Sequence, residues 1–182
     1  MEHLETALDQ AGVQRRPEEA PAAIAFLDLS GCTRMTEEVG DETAADQVHR
    51  LADLVRRTSI QLGGRLVKML GDGAMLHFAD PSAAVRWGLE LVGEAAAARL
   101  PPARVGVSAG PLIQRDGDYF GHTVNVAARV ADYAGPNDVL VTADAVSWIS
   151  DVIELAEIGD VSLRGVTAPV KLYSAKRTSI PR

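Results

Sequence analysis

Residues 64–79, GRLVKMLGDGAMLHFA, contain two short apolar segments separated by Gly-Asp-Gly. That separator has the length and the residue types of a tight hairpin turn, so the stretch predicts two neighbouring antiparallel strands. A parallel, doubly wound sheet is therefore not expected. The first apolar segment also contains Lys68, one of three lysines in a chain whose other basic side chains are arginines. A charged residue inside an apolar run needs a specific reason to be there.

The segments on either side of the hairpin alternate between strand-like and helix-like patterns. Residues 24–29 form a short apolar run suited to a buried strand, and residues 41–64 carry apolar side chains at helical spacing before ending in two glycines. Pro81 and Ser82 open a second long helix. The later segments are predicted to be a strand at 103–110, a turn or hairpin at 114–121, a helix at 122–135, a strand at 138–142, a short helix near 143–149, and strands at 152–158 and 170–175.

This order of elements predicts an α+β fold of ferredoxin-like type. Its βααββαβ core would have extra C-terminal strands and an antiparallel or mixed sheet, with helices packed on one face. Residues 1–21 are expected to form a helical segment, with Leu4 and Leu8 on one side, and then a charged linker. Residues 22–182 would form the single compact domain.

Composition excludes several classes of partner. The chain has 182 residues and a formal net charge of -7, which argues against nucleic acid and against an anionic membrane surface. The single cysteine, Cys32, allows neither an intrachain disulfide nor a thiolate metal site. No stretch is apolar for long enough to cross a bilayer, and the first residues do not resemble a signal peptide. We therefore expect a cytoplasmic protein without direct membrane insertion.

Two aspartates stand near the ends of predicted strands. Asp28 closes the first strand, and Asp72 lies in the Gly-Asp-Gly turn. If those strands are neighbours, the two carboxylates meet at one edge of the sheet, and their repulsion favours a divalent cation between them. Oxygen ligands alone favour magnesium or manganese. A turn-forming Asp72 and a helix-capping Asp28 would explain the same residues without a metal, and position alone does not decide.

The turn after Asp28 has the composition of a phosphate-binding loop. It contains Gly31, Cys32 and Thr33, and it leads from a strand into a predicted helix. Free backbone N–H groups at such a joint suit a polyphosphate. As a single motif this signal is weak, because many strand-turn-helix joints contain small residues.

A polar pair interrupts the apolar side of the helix predicted at 122–135. Asn125 and Arg129 are four residues apart and therefore share one helix face. A planar amide beside a guanidinium can hold a ribose and a phosphoryl oxygen. An ordinary solvated helix face accounts for the same pair equally well.

Taken together, four segments resemble the successive motifs of class III nucleotidyl cyclase catalytic domains of the bacterial adenylate cyclase type. They appear in the order and at the spacing of that family, and the resemblance covers roughly residues 22–176. The segments are FLDLSGCT at 26–33, GGRLVKMLGDGAMLHF at 63–78, DYFGHTVNVAARV at 118–130 and LRGVTAPVKLYSA at 163–175.

The resemblance implies roles for individual residues. Asp28 and Asp72 match the ligands of two magnesium or manganese ions per active site, with the Leu29 carbonyl as an extra ligand. Gly31, Cys32 and Thr33 match the turn that contacts the substrate phosphates. The remaining matches are Lys68 and Asp118 for the purine, Asn125 for the ribose, Arg129 for the transition state and Arg164 for the terminal phosphates.

In the family, two catalytic domains pack head to tail. The resemblance therefore implies a homodimer in which one subunit supplies the aspartates and the other supplies the purine, ribose and phosphate residues. Such an enzyme converts ATP to 3′,5′-cyclic AMP and pyrophosphate by attack of the ribose 3′-hydroxyl on the α-phosphate.

With these roles, the purine pair gives a reason for Lys68. An ammonium can donate to adenine N1, and the Asp118 carboxylate can accept from the adenine N6 amino group. Guanine presents the reverse pattern, so ATP is the expected substrate. The alternatives are a guanylate cyclase and a nucleotide-binding regulatory domain without turnover. A third, an aspartyl-phosphate protein with Asp28 phosphorylated, would require the parallel sheet that the hairpin opposes.

Overall fold

The computed structural model describes residues 21–31, 40–150 and 152–178. Together they form one mixed sheet, one small hairpin and four helices. The strands are β1 (Ala23–Leu29), β2 (Arg65–Leu70), β3 (Gly73–Phe78), β4 (Ala103–Ala109), β5 (Ile113–Arg115), β6 (Asp118–Phe120), β7 (Val139–Thr142), β8 (Ile153–Val161) and β9 (Val170–Arg177), and the helices are α1 (Asp41–Gln61), α2 (Pro81–Ala97), α3 (His122–Tyr133) and α4 (Ala143–Val146).

The seven-stranded sheet has the order β2-β3-β1-β4-β7-β9-β8, and β5 and β6 form a separate pair. Only β4 and β7 are parallel among the described pairings. The first four strands therefore have the ferredoxin-like arrangement, and the predicted α+β class with extra C-terminal strands is confirmed. The segment predicted as helical before residue 21 and the first of the two helices expected between β1 and β2 lie outside the described residues.

The hairpin predicted from the opening stretch is present. β2 and β3 pair antiparallel through a two-residue turn at Gly71 and Asp72. Gly71 has a φ of 65°, which is strained for residues with a side chain, so glycine suits this position. The start predicted for α2 is also confirmed, because the Asp80 carboxylate accepts a hydrogen bond of 2.9 Å from the Ser82 N–H.

Helices cover both faces of the sheet. A side chain added at Gly88 of α2 would meet Val105, whereas one added at Gly106 would lie 2.2 Å from the Ala131 nitrogen of α3. Neighbouring residues of a strand point to opposite faces, so α2 and α3 lie on opposite sides of β4. The expectation that the helices share one face is wrong, because the bare backbone at Gly106 lets α3 approach the second face.

The main core lies on the α1 and α2 side. Trp87 is fully buried there against Phe78, with ring centroids 5.7 Å apart. The Trp87 indole N–H donates to the Thr58 hydroxyl at 3.0 Å, so this buried polar group is satisfied. Among the described helices, none is both long and apolar enough to span a membrane.

Candidate active site

The predicted polar residues of the strands lie on the second face of the sheet, which we call the α3 face. Ile24 and Met75 belong to a buried cluster on this face with Tyr119 and Ala127. Asp28 follows Ile24 by four residues, so the alternation of a strand directs its side chain to the same face. The α3 face therefore contains both a buried apolar cluster and the side chain of Asp28.

Asp28 and Asp72 lie at the same end of the sheet, because β1 and β3 are neighbours. Asp28 pairs with Gly73 of β3, directly after Asp72. The Leu29 N–H donates to the Asp72 carbonyl at 3.2 Å, which ties the turn to the end of β1. Asp28 is a strand residue in this fold, so the helix-capping interpretation of Asp28 is wrong.

Arg104, which is not among the residues predicted from the sequence, contacts Asp28 directly. Arg104 lies opposite Asp28 in β4, and its Nε donates to Asp28 Oδ2 at 3.0 Å, with a second contact from Nη2. Its Nη1 donates to the Asp132 carbonyl on α3 at 3.1 Å. The signal was available in ARVGVSA, where Arg104, Gly106 and Ser108 alternate with apolar residues and so share the α3 face.

The end of β1 has the features of a divalent cation site. A Cβ at Gly73 would lie 2.6 Å from the Leu27 carbonyl oxygen, so glycine lets the end of β3 approach β1 closely beside Asp28. Within the described ranges, no three His, Cys, Asp or Glu side chains gather into a metal cluster. Two carboxylates completed by water or phosphate oxygens are a usual ligand set for magnesium. These residues therefore fit a magnesium-type ion.

The structure brings Lys68 and Asp118 together. Lys68 Nζ lies 2.5 Å from Asp118 Oδ2, and the Tyr119 N–H donates to Asp118 Oδ1 at 2.8 Å. These hydrogen bonds, the Lys68 one foremost, hold the pKa of Asp118 below its ordinary value. An ionised acceptor thus stands beside an ammonium donor.

Lys68 lies on the α3 face, between the β2–β3 turn and a β-bulge. In the β2–β3 pairing, Leu66 lies opposite Leu76 and Lys68 opposite Met75, so Val67 is the extra residue. Met75 belongs to the cluster on the α3 face, and its cross-strand partner Lys68 shares that face. Leu70, Met69 and Lys68 pair in unbroken order from the turn, so the extra residue shifts the register only beyond Lys68, where it places Arg65 opposite His77. The sequence gives no clear sign of this bulge.

On α3, Asn125 and Arg129 lie on the exposed side, opposite the buried side that includes Val126 and Val130. Arg129 Nη1 is 3.0 Å from Asp132 Oδ2. Arg164, in the loop after β8, lines the same groove of about 360 Å³ as Arg129, together with Asp132, Tyr133, Ser162 and Leu163. The two predicted phosphate-facing arginines are therefore neighbours.

The structure does not join all predicted residues in one chain. Among the described residues, no hydrogen bond or ion pair links Lys68 or Asp118 to Asp28 or Asp72. Gly31 is exposed in a turn with φ of 82°, whereas Cys32 and Thr33 lie outside the described residues. A larger cavity of about 510 Å³, near Pro21 and the start of α3, contains none of the predicted site residues.

Comparison with protein families gives a match over most of the chain. Residues 15–176 match the model described as "Adenylate and Guanylate cyclase catalytic domain". A pH-sensitive adenylate cyclase of Mycobacterium tuberculosis is 33% identical over 96% of this chain and 46% of its own length. An adenylate cyclase of Streptomyces coelicolor is 37% identical over 72% of this chain and 35% of its own length. The chain thus spans less than half the length of these curated relatives.

Solved structures agree with the fold. The adenylyl cyclase CyaB of P. aeruginosa superimposes with a TM-score of 0.79 at 22% identity, covering 88% of this chain and 95% of that one. An adenylate/guanylate cyclase/hydrolase from Silicibacter pomeroyi gives a TM-score of 0.71 at 26% identity, covering 84% and 94%. The sheet order and the placement of α3 described above are thus those of a known architecture.

Proposed function

We propose, from the premise that the chain belongs to the family of adenylate and guanylate cyclase catalytic domains, that it converts ATP to 3′,5′-cyclic AMP and pyrophosphate. The observation that carries this proposal is the 2.5 Å contact between Lys68 and Asp118. A donor and an acceptor side by side match the N1 and N6 edge of adenine. The named adenylate cyclases among its relatives support the same substrate.

Selection against GTP follows from the same pair. Guanine presents a donor at N1 and an acceptor at O6, so both protein groups would face like partners. A site built on such hydrogen bonds can reject a mismatched ligand by up to about 10⁴-fold. Lys68 is 41% exposed and Asp118 29% exposed, so water can partly replace the lost bonds and the selectivity is expected to be smaller.

Catalytic domains of this family generally use divalent metal ions. We assign the Asp28 and Asp72 carboxylates, with the Leu29 carbonyl, as ligands of magnesium or manganese, two ions per active site. When bound, such ions lower the pKa of the ribose 3′-hydroxyl and neutralise charge on the triphosphate. Arg104 would orient the Asp28 carboxylate by holding its Oδ2 atom.

The remaining residues act on the ribose and the phosphates. Asn125 would orient the ribose, and Asp28 would accept the proton of the 3′-hydroxyl as it attacks the α-phosphorus. Arg129 would meet the negative charge that grows on the α-phosphoryl oxygens, a contribution whose loss typically costs about 10²-fold or more in rate. Arg164, in the same groove, would contact the terminal phosphates together with the turn at Gly31, Cys32 and Thr33.

We further propose that each active site is shared across a head-to-tail homodimer. Within one described chain, the aspartates and the purine pair are not joined by any hydrogen bond or ion pair. A second copy related by a twofold axis would bring its purine pair and arginines to the aspartates of the first, and symmetry would generate two such sites.

The proposal is tested by incubating purified protein with manganese and either ATP or GTP and measuring cyclic nucleotide and pyrophosphate. We expect cyclic AMP from ATP and much slower reaction with GTP. Asp28→Ala and Asp72→Ala should each abolish turnover and should also remove the rise in thermal stability that manganese gives the wild type. Asp53→Ala, at an exposed site on α1, is the matched control and should retain both properties.

Other outcomes identify the alternatives. Binding of ATP without turnover would make the chain a regulatory nucleotide-binding domain. A preference for GTP would make it a guanylate cyclase and would show that the purine pair has been misassigned.

A further inference from the structure

Asp118 is carried by a very small element. β5 and β6 have three residues each, and the turn between them uses Asp116 and Gly117, both with positive φ, as in a two-residue hairpin. An isolated two-stranded hairpin is at best marginally stable in water. The position of the Asp118 carboxylate therefore depends on what fixes this hairpin to the main sheet.

Arg65 and His77 fix it from the side. They are cross-strand partners in β2 and β3, and both contact residues of the hairpin. The His77 ring stacks on the Tyr119 ring, with centroids 4.6 Å apart and planes 7° apart. The Arg65 guanidinium carbon lies 5.1 Å from the centroid of the Tyr119 ring, and Arg65 Nη2 donates to the Gly117 carbonyl at 3.2 Å.

These contacts bracket Asp118. Gly117 precedes it and Tyr119 follows it, so Arg65 holds the main chain on one side of Asp118 and a ring on the other. The Tyr119 N–H also donates directly to Asp118 Oδ1. A shift of either neighbour would move the carboxylate relative to Lys68, which is anchored on the same strand as Arg65.

We propose that Arg65 is a positioning residue for purine selection, acting through the Tyr119 ring and the Gly117 carbonyl to fix Asp118 opposite Lys68. The inference rests on the proposed role of Lys68 and Asp118 in binding the base. Arg65 is itself exposed on the edge strand β2, and its guanidinium covers a Tyr119 side chain that is nearly buried. It therefore acts on the hairpin and does not belong to the sheet core.

Arg65→Met tests this, because methionine keeps an apolar stem and removes the guanidinium. Loss of a cation–π contact at an exposed site predicts a rise of about 2- to 5-fold in KM for ATP and a similar fall in the ratio of kcat/KM for ATP over GTP. The kcat for ATP should change less than KM, since base binding is made equally in the ground and transition states.

Neighbouring variants separate positioning from general destabilisation. Arg65→Lys should not rescue selectivity, because an ammonium cannot stack on the ring and reach the Gly117 carbonyl at once. Tyr119→Phe, which keeps the ring, should retain wild-type selectivity. Tyr119→Leu should lower selectivity, and combining it with Arg65→Met should add less than the sum of the two losses. Arg57→Met, which removes an ion pair with Glu94 on the opposite face, is the matched control and should leave KM and selectivity unchanged.

Unchanged KM and selectivity in Arg65→Met would overturn the inference while leaving the cyclase proposal intact, and so would an equal effect of Arg57→Met. If the wild type forms no cyclic nucleotide, the proposed function fails first. Amide hydrogen exchange of residues 113–120 then decides the positioning role. Faster exchange in Arg65→Met than in the wild type and Arg57→Met supports the anchoring of the hairpin, and equal exchange overturns it.

Discussion

Arg104 connects Asp28, the proposed metal ligand at the end of β1, to helix α3. Its Nε donates a hydrogen bond to Asp28 Oδ2, and its Nη1 donates a hydrogen bond to the Asp132 carbonyl oxygen. Asp132 in turn pairs with Arg129, the proposed transition-state residue. In a shared-site dimer, Asp28 and Arg129 of one subunit would serve different active sites. Arg104 would then connect residues of the two active sites.

The Asp28–Arg104 ion pair should contribute measurably to folding. Both side chains are about one third exposed or less, at 32% and 27%, so solvent screens the pair only in part. We expect a coupling of about 1 kcal/mol in a double-mutant cycle of Asp28→Asn and Arg104→Met, read from urea unfolding. Strictly additive losses of stability would show that the two side chains do not interact.

Gly106 should tolerate no larger residue. An added Cβ would lie 2.2 Å from the Ala131 nitrogen and 2.7 Å from the Ala127 carbonyl oxygen, both on the backbone of α3. Gly106→Ala should therefore destabilise the fold by about 1–3 kcal/mol, as overpacking typically does. Gly93→Ala is the control on α2, where an added Cβ meets nothing within 4 Å, and it should stabilise by about 0.5–1 kcal/mol. The reverse order in chemical denaturation would contradict the close packing of α3 on β4.

Acidification should weaken the fold through His77. Burial, followed by the nearby Arg65 charge, lowers the pKa of His77 below its ordinary value. The unfolded chain then binds the proton more readily, so stability falls as the pH drops below about 6.5 and levels off once the pH is below the lowered folded pKa. Tyr119, whose ring stacks on His77, is the other group that faces it.

His77→Phe keeps an aromatic ring for Tyr119 and removes the titration. The free energy of unfolding of this variant should fall less steeply than that of the wild type between about pH 7 and pH 5. The comparison is made by urea unfolding at a series of pH values. Equal slopes for the two proteins would mean that His77 does not contribute to acid sensitivity.

Much of the fold could be predicted because its signals are local. The turn at Gly71 and Asp72, the periodicity of α1 and the proline at the start of α2 each act within a few residues of sequence. The second face of the sheet could not be predicted in this way. The room for α3 comes from Gly106, a single position whose meaning depends on a helix that contacts it from later in the chain.

In the candidate site, too, residues in local sequence motifs could be predicted, whereas features that depend on strand pairing could not. Lys68, Asp118 and Asp28 could be predicted as site residues because they lie in motifs with a family resemblance. Arg104 was missed because its partner Asp28 is far away in sequence and adjacent only through strand pairing. The bulge at Val67, which places Arg65 opposite His77, is a property of how β2 pairs with β3 and not of either strand alone.

The base preference should respond to the Lys68 and Asp118 pair. Lys68→Glu combined with Asp118→Gly removes the donor to adenine N1 and the acceptor for its amino group, and the new carboxylate can accept from guanine N1. We expect the ratio of kcat/KM for ATP over GTP to fall by about 10-fold or more. Retention of full discrimination against GTP would show that another part of the protein reads the base.

Complementation between inactive variants tests the shared site. Asp72→Ala and Arg129→Ala should each be nearly inactive alone, but a heterodimer of the two has one site with both residues intact. Random exchange makes half of the dimers heterodimers with one of two sites restored, so about a quarter of wild-type activity should return in a twofold dimer.

Mixing Asp72→Ala with Asp28→Ala is the control, because every heterodimer site would then lack one aspartate and activity should stay absent. Differently tagged subunits, recovered together, establish that exchange has occurred. If exchange is complete and Asp72→Ala with Arg129→Ala stays inactive, the aspartates and Arg129 of one subunit do not serve different sites.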